Sequence, residues 1–434
     1  MASTELANGT PGRNLANLTL ELHRLIALGK GDEAEADNLR AEMEAGWYQL
    51  TPEEQRRLNE LSGDLYALEE PEDGQPMSAE ERQKWLAEFR AANSDRKLEF
   101  LRHPPSGIAR ELVFFIQASC WDQLGYVEVA LHFMKAAEQQ NPEHAVSVLP
   151  YLEKLGRVAE AHSYANRILE DPESRPEALY VAASVLLGPT RYMTAQEAKP
   201  ILARLVPILE KALAVHLRTP RARQIVPQAA SFIVCMLGLC YTRLGQTEKA
   251  IEVYDAALKR SPHESEIFVF RGLAHGETEW SKALEDFEEA YKLSSRSVWP
   301  YFFLAHNALE HSDYGRCQTF AIIALEKTRR PEILAQLHEW LGICRAIIGL
   351  SPHLVWQCFD HAEELDPDNP RIKYNRGIAE KLLGSSGKNG SWATRTMSIA
   401  NALEQSFQEL EDEFASARTA STAGELVGSI YLPA

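Results

Sequence analysis

The chain has 434 residues, 45% apolar and 25% charged, a balance that excludes an intrinsically disordered polymer and leaves room for two or three domains or one long repeat array. Its formal charge of −17 repels phosphate backbones and anionic lipid, which argues against nucleic-acid or membrane partners. The longest apolar run, FIVCMLGLCY at 232–241, falls far short of the ~20 residues that span a bilayer.

Residues 1–13 lack apolar periodicity and are expected to be disordered; they show no basic start followed by an apolar core, so no signal peptide is expected and the chain is placed in the cytoplasm. From residue 14 a helical hairpin is predicted around Gly29 and Gly31. Thr51-Pro52-Glu53-Glu54 then opens a helix with an N-cap, a first-turn proline and a capping-box glutamate, and Leu58, Leu61, Leu65 and Leu68 form its apolar stripe. Ser78 and Glu81 repeat the capping signature before Trp85 and Phe89. Residues 14–105 therefore form an N-terminal helical module. The six cysteines, at 120, 235, 240, 317, 344 and 358, show neither C-x-x-C nor paired zinc spacing, as befits buried thiols in a reducing compartment.

Beyond residue 105 the sequence repeats. Leu237 and Gly238 are followed by Tyr241, Gly245, Ala250, Tyr254, Ala257 and Pro262. The pattern returns at Gly272 (with Ala283, Phe287, Ala290), at Ala305 (with Ala308, Cys317, Ala324), at Gly342 (with Gly349, Phe359, Ala362, Pro367) and at Gly377, with anchor spacings of 34, 33, 37 and 35 residues. Upstream it appears with Ala118, Trp121, Gly125, Ala130, Met134, Ala137 and Pro142, and in a shorter copy with Gly156, Ala161 and Pro172. Small residues let two antiparallel helices approach, aromatics fill the space beside them, glycine breaks the first helix and proline ends the second. Each unit is a helical hairpin that cannot bury its apolar face alone, so copies must stack. The stretch 173–230 departs from the pattern, with an insertion and an uncertain repeat phase. Arg218, Arg221 and Arg223 in RTPRAR belong to a Pro-containing loop rather than a nucleic-acid patch.

These residues resemble the tetratricopeptide repeat (TPR): L-G-x-x-Y, A-x-x-x-F and a terminal proline, over roughly 108–383. The segment WYQLTPEEQRRLNELSGDLYAL is similar to a leader of bacterial TPR proteins. The resemblance implies an all-α, TPR-like helical-hairpin solenoid (an α-α superhelix) over 106–383, with the N-terminal module before it. After it come a Gly/Ser-rich linker at 384–391, a C-terminal capping helix at 392–417 and a tail at 418–434. Ile399, Leu403, Phe407, Leu410 and Phe414 share one face of that last helix, which either caps the final repeat or docks elsewhere.

No catalytic constellation emerges, and no cofactor is expected. GSSGKNGS at 384–391 is too short for a phosphate loop and has Asn389 where the hydroxyl residue should stand; HEWLG at 338–342 places Gly342 where a zincin needs its second histidine; no G-x-S-x-G occurs. His306 and Glu310, one helical turn apart, beside His311 and with Glu339 from the next hairpin, make the nearest approach to a metal set. A metal-dependent regulator or enzyme using His306 and Glu310 is thus the rival of a different class.

In TPR proteins the first helices of successive hairpins line the concave face, so the resemblance places Met236, Phe270, Trp299, Phe303, His306, Trp340, Arg371 and Asn375 there. Only Arg371 and Asn375 could belong to a clamp for acidic chaperone tails. An apolar, aromatic groove points to an apolar peptide or amphipathic helix of another protein as ligand, or equally to a surface covered by the protein's own terminal helix. The expected function is a non-enzymatic binding scaffold or adaptor, with a holdase-like chaperone for an exported or assembling partner as the alternative. Neither partner nor oligomeric state is legible.

Overall fold

The computed structural model describes residues 10–69, 76–220, 229–276, 278–384, 392–410 and 412. Most of the expected disordered start, the linker at 385–391, Arg221 and Arg223, Phe414 and the tail at 418–434 lie outside these residues. Two compact units emerge, divided between Leu186 and Leu187. That division falls inside the span expected to form one solenoid, so the N-terminal module belongs to the same unit as the first hairpins.

In the first unit, α1 (Pro11–Ala27) starts three residues earlier than expected, because Pro11 has the backbone angle a first helical turn requires. It turns back into α2 (Ala34–Trp47) through Gly29, whose φ of 73° lies in the left-handed region. Thr51 and Glu54 cap α3 (Pro52–Glu69) reciprocally, with Glu54 Oε2 accepting from the Thr51 amide at 2.9 Å and Thr51 Oγ1 accepting from the Glu54 amide at 3.3 Å. The same box, Ser78 with Glu81, opens α4 (Ala79–Ala91). Leu58, Leu61 and Leu65 are buried, while Leu68 is half-buried. Two guanidiniums tie α3 to α5 (Ser94–Arg102): Arg57 to Asp95 at 2.6 Å and Arg102 to Asp64 at 2.6 Å. Burial pushes the Asp64 carboxyl up to about 6 despite Arg102.

The hairpins α6–α7 (Arg110–Gln123, Val127–Gln140) and α8–α9 (Ala145–Lys154, Val158–Glu170) follow, and α10 (Pro176–Leu187) ends the unit. Gly125 and Gly156 make their turns with φ of 86° and 66°.

The second unit opens with the stretch that departs from the repeat. It holds a short 3-10 turn at 188–192 and the 24-residue helix α11 (Ala195–Arg218), which packs on α12 (Ala229–Arg243). Four hairpins then run as α12–α13 (Thr247–Arg260), α14 (Ser265–His275)–α15 (Trp280–Lys292), α16 (Trp299–Glu310)–α17 (Tyr314–Lys327) and α18 (Pro331–Ile348)–α19 (Pro352–Leu365), with α20 (Pro370–Gly384) beginning a fifth.

The signature residues do what their sizes predict. Ala250, Tyr254 and Ala257 are buried beside Leu237, Gly238 and Tyr241. A Cβ on Gly238 would stand 2.2 Å from the Tyr254 ring; on Gly272, 2.7 Å from Phe287; on Gly342, 2.8 Å from Phe359. In all three hairpins a first-helix glycine leaves room for a second-helix aromatic ring. Gly377 meets nothing within 4 Å, so the anchor of the last repeat is not a close-approach point. Gly245 and Gly349 turn their hairpins with φ of 72° and 79°; at the corresponding turn of α16–α17 stands Ser312, at φ 60°.

Candidate functional site: the inner face of the second unit

Eight residues past the end of α20 the chain returns to the face built by the first helices. Residues 392–398 are irregular and lead into α21 (399–410), whose first turn is held by Ser398: its carbonyl accepts from the Ala402 amide at 3.0 Å and its hydroxyl from the Asn401 amide at 3.3 Å. The segment meets α12 at Phe232, the C-cap of α14 at Gly276, the N-cap of α18 at Arg330 and α20 at Asn375.

The entry point is a clasp. The Asn375 carboxamide donates to the Ala393 carbonyl at 2.8 Å and accepts from the Ala393 amide at 3.0 Å. Both backbone groups of one residue are thereby satisfied by one side chain, which fixes register without reading sequence. Asn375 is itself held by Glu339, whose Oε1 accepts from it at 2.7 Å, and Glu339 pairs with Arg371 at 2.5 Å. Burial raises the Glu339 carboxyl even though Arg371 and Asn375 favour its charge.

Further along, the contacts are apolar. Ile399 lies where a Cβ on Gly276 would stand, 2.8 Å from its Cδ1. Phe407 packs against Phe232 with ring centroids 5.9 Å apart. Ala402, Leu403, Ser406 and Phe407 are all buried, so α21 presents a continuous face inward.

Its flank is acidic and meets arginines. Glu404 pairs with Arg243 at 3.2 Å, and Glu409 stands 3.7 Å from Arg330. Arg191 donates to Gln408. Burial raises the pKa of both carboxyls, that of Glu409 to about 7, where Glu266 and Asp412 add repulsion and Arg330 and Trp299 oppose it.

The sequence-predicted residues are brought together, but few are exposed. Met236, Phe270, Trp299, Phe303, Trp340 and Asn375 are wholly buried, and His306 nearly so. Phe303 stacks on Phe287 at 5.3 Å and meets Trp280 edge-on, which makes it part of the packing between hairpins rather than groove lining. Trp340 packs on Phe302 at 4.8 Å and on His306 at 5.4 Å. Arg371 and Asn375 stand at the clasp on residue 393, while the rings of Phe303 and Trp340 pack against neighbouring helices. Arg191, Arg243 and Arg330 went unnoticed, because nothing in a single sequence links an arginine to a polar side chain 79 to 217 positions away.

The metal reading also meets its geometry. His306 stands 3.5 Å from Glu310 and burial holds its pKa low, but Glu339 is turned to Arg371 and Asn375. Among the described residues no group of three His, Cys, Asp or Glu is placed to hold a metal ion.

The tetratricopeptide repeat family model matches residues 233–264, the hairpin α12–α13 with its Gly238–Tyr254 contact. The chain carries a tetratricopeptide repeat at this hairpin. Such repeats serve as protein-interaction scaffolds, and this chain shares their all-α hairpin construction. No curated protein matches it. Among solved structures it is similar to MamA from Desulfovibrio magneticus RS-1 (21% identity, 43% of this chain and 97% of that one, TM-score 0.33). It is similar also to the C-terminal part of a TPR repeat-containing protein from Cytophaga hutchinsonii (12%, 68% and 94%, TM-score 0.32). A third is YrrB, described as a TPR protein with an unusual peptide-binding site (15%, 56% and 98%, TM-score 0.28). Likenesses this distant carry no conclusion about ligand. Among the described residues no helix is long and apolar enough to cross a membrane.

Proposed function

We propose that the second unit is a docking groove for an amphipathic helix of a partner protein, and that the chain acts as a non-enzymatic adaptor. The observation that carries this is the seating of residues 392–410: a backbone clasp at Asn375, apolar contacts at Phe232 and Gly276, and arginines along one flank. These are the elements by which a groove recognises a helix, namely anchors for apolar side chains at helical spacing and charges that set orientation. A many-client holdase calls for an open greasy surface, and the aromatic column here is covered.

The test uses the full chain with Leu403→Glu and Phe407→Glu, which cannot seat its own helix. A fluorescent peptide of residues 392–412 is titrated into it. Saturable binding, weakened about tenfold by adding Asn375→Ala, is expected, since losing the clasp forfeits on the order of 1–2 kcal/mol. No binding by a variant with unchanged helical circular dichroism sinks the proposal.

A further inference from the structure

Residues 392–410 belong to this chain, so the groove is filled before any partner arrives. We infer that this segment is an intramolecular competitor for the partner helix proposed above, and that the partner is itself an acidic amphipathic helix whose carboxylates take the places of Glu404 and Glu409. The inference rests on the groove reading and adds what the ligand must look like and what it must displace.

Three observations carry it. First, the segment touches the groove as a ligand does: its backbone is gripped by the Asn375 side chain, and its side chains meet residues of α12 and of the caps of α14 and α18. Second, the arginines come from separate elements. Arg191 belongs to the 3-10 turn, Arg243 to the end of α12, and Arg330 to the cap of α18; all three reach the polar flank of α21. In a chain with 62 acidic and 45 basic residues, a cationic rim around an apolar strip accommodates glutamates whose charge burial opposes and rejects a basic helix.

Third, the contacts of α21 are separable from the core. Its carboxyl–arginine pairs are partly exposed, with 30% and 33% of the Glu404 and Glu409 side chains accessible. Only seven residues, 385–391, connect α20 to the segment. A short tether gives an effective concentration on the order of millimolar. For a peptide with a dissociation constant of ~10 μM, the tethered copy therefore weakens apparent binding on the order of a hundredfold. A partner wins by tighter contacts or high local concentration.

The test compares the intact chain with the Leu403→Glu/Phe407→Glu variant, and with a second release variant, Glu404→Arg/Glu409→Arg, that leaves the apolar face of α21 unchanged. Each is titrated with the labelled 392–412 peptide. The inference expects both variants to bind on the order of a hundredfold more tightly than the intact chain. It expects the same peptide with Glu404→Lys and Glu409→Lys to lose at least tenfold on the first variant, and to regain it when Arg243→Glu and Arg330→Glu are added.

Equal binding by intact and released chains overturns the competitor while leaving the groove in place. Equal binding of native and charge-reversed peptides overturns the acidic partner. An intact chain that sediments as a dimer and becomes monomeric on release would put a second copy's helix in the groove and overturn competition in cis. No binding to either released chain would instead sink the groove reading itself.

Discussion

The interior of each hairpin and the inner face of the second unit are equally dry, yet they are buried by different means. Between α12 and α13 the Tyr254 ring rests over Gly238, and the two helices are joined by a turn of three residues. On the inner face, Phe232 is covered by Phe407, which arrives from 175 positions away. A surface closed by its sequence neighbour is closed whenever the repeat is folded; one closed by a tethered segment is closed only as long as that segment wins. Burial in one state does not separate the two, but mutation does.

The largest effect is expected in the interior. Gly238→Val drives two methyl groups into a ring that already lies 2.2 Å from the Cβ position. It should destabilise the second unit by about 3 kcal/mol or more, read as a fall in the thermal midpoint by far-ultraviolet circular dichroism. Gly377→Ala, at the equivalent anchor with nothing within 4 Å, should instead stabilise by up to about 1 kcal/mol through helix propensity alone. A loss at both positions would mean that repeat phase, not local room, governs the glycines.

Phe407→Ala removes the ring against Phe232 without touching any hairpin. Docking of α21 should weaken by about 3 kcal/mol, seen as fast hydrogen exchange over 399–410, while the amides of α12–α19 keep their protection. Loss of protection throughout the unit would show that α21 is core, and the contrast between the two surfaces would collapse.

The hairpin interiors were legible from sequence because their contacts are local: anchor, turn and aromatic recur within 34 residues, and the periodicity of small and large side chains encodes the packing directly. The shared face of Ile399, Leu403 and Phe407 was legible for the same reason. Where that face docks was not, because its partners Phe232 and Arg243, Gly276 and Arg330 lie at three separate elements with no repeated spacing to α21. Nor does helical phase alone show that the Phe303 ring stacks on Phe287. The unit boundary at Leu186–Leu187 was also hidden, since the local pattern merely fades there.

Ser312 tests the interior more gently. Its φ of 60° occupies the left-handed conformation that Gly245 and Gly349 supply elsewhere. That conformation costs a residue with a Cβ about 1–2 kcal/mol, partly offset by the unfolded-state freedom glycine gains. Ser312→Gly should therefore raise stability by about 0.5–1 kcal/mol, measured by urea unfolding with an unchanged slope.

Glu409 supplies the smallest and most discriminating effect, because it acts on the covered face alone. Its pKa is raised from 4.5 to about 7 by burial, with Glu266 and Asp412 opposing its charge and Arg330 and Trp299 favouring it. A carboxyl whose docked pKa exceeds its free value binds its proton more tightly when docked, so the docking advantage is complete below about 4.5 and lost as pH rises through about 7. Glu409→Gln stays neutral throughout and keeps the shape. Its melting midpoint should match that of the native chain at pH 5 and exceed it by about 1–2 °C at pH 8, with hydrogen exchange over 399–410 slowed relative to the native chain at the higher pH. The opposite ordering, with the native chain more stable at pH 8, would make the Arg330 pair the stronger influence and turn the acidic flank from a tolerated burial into the main anchor of the helix.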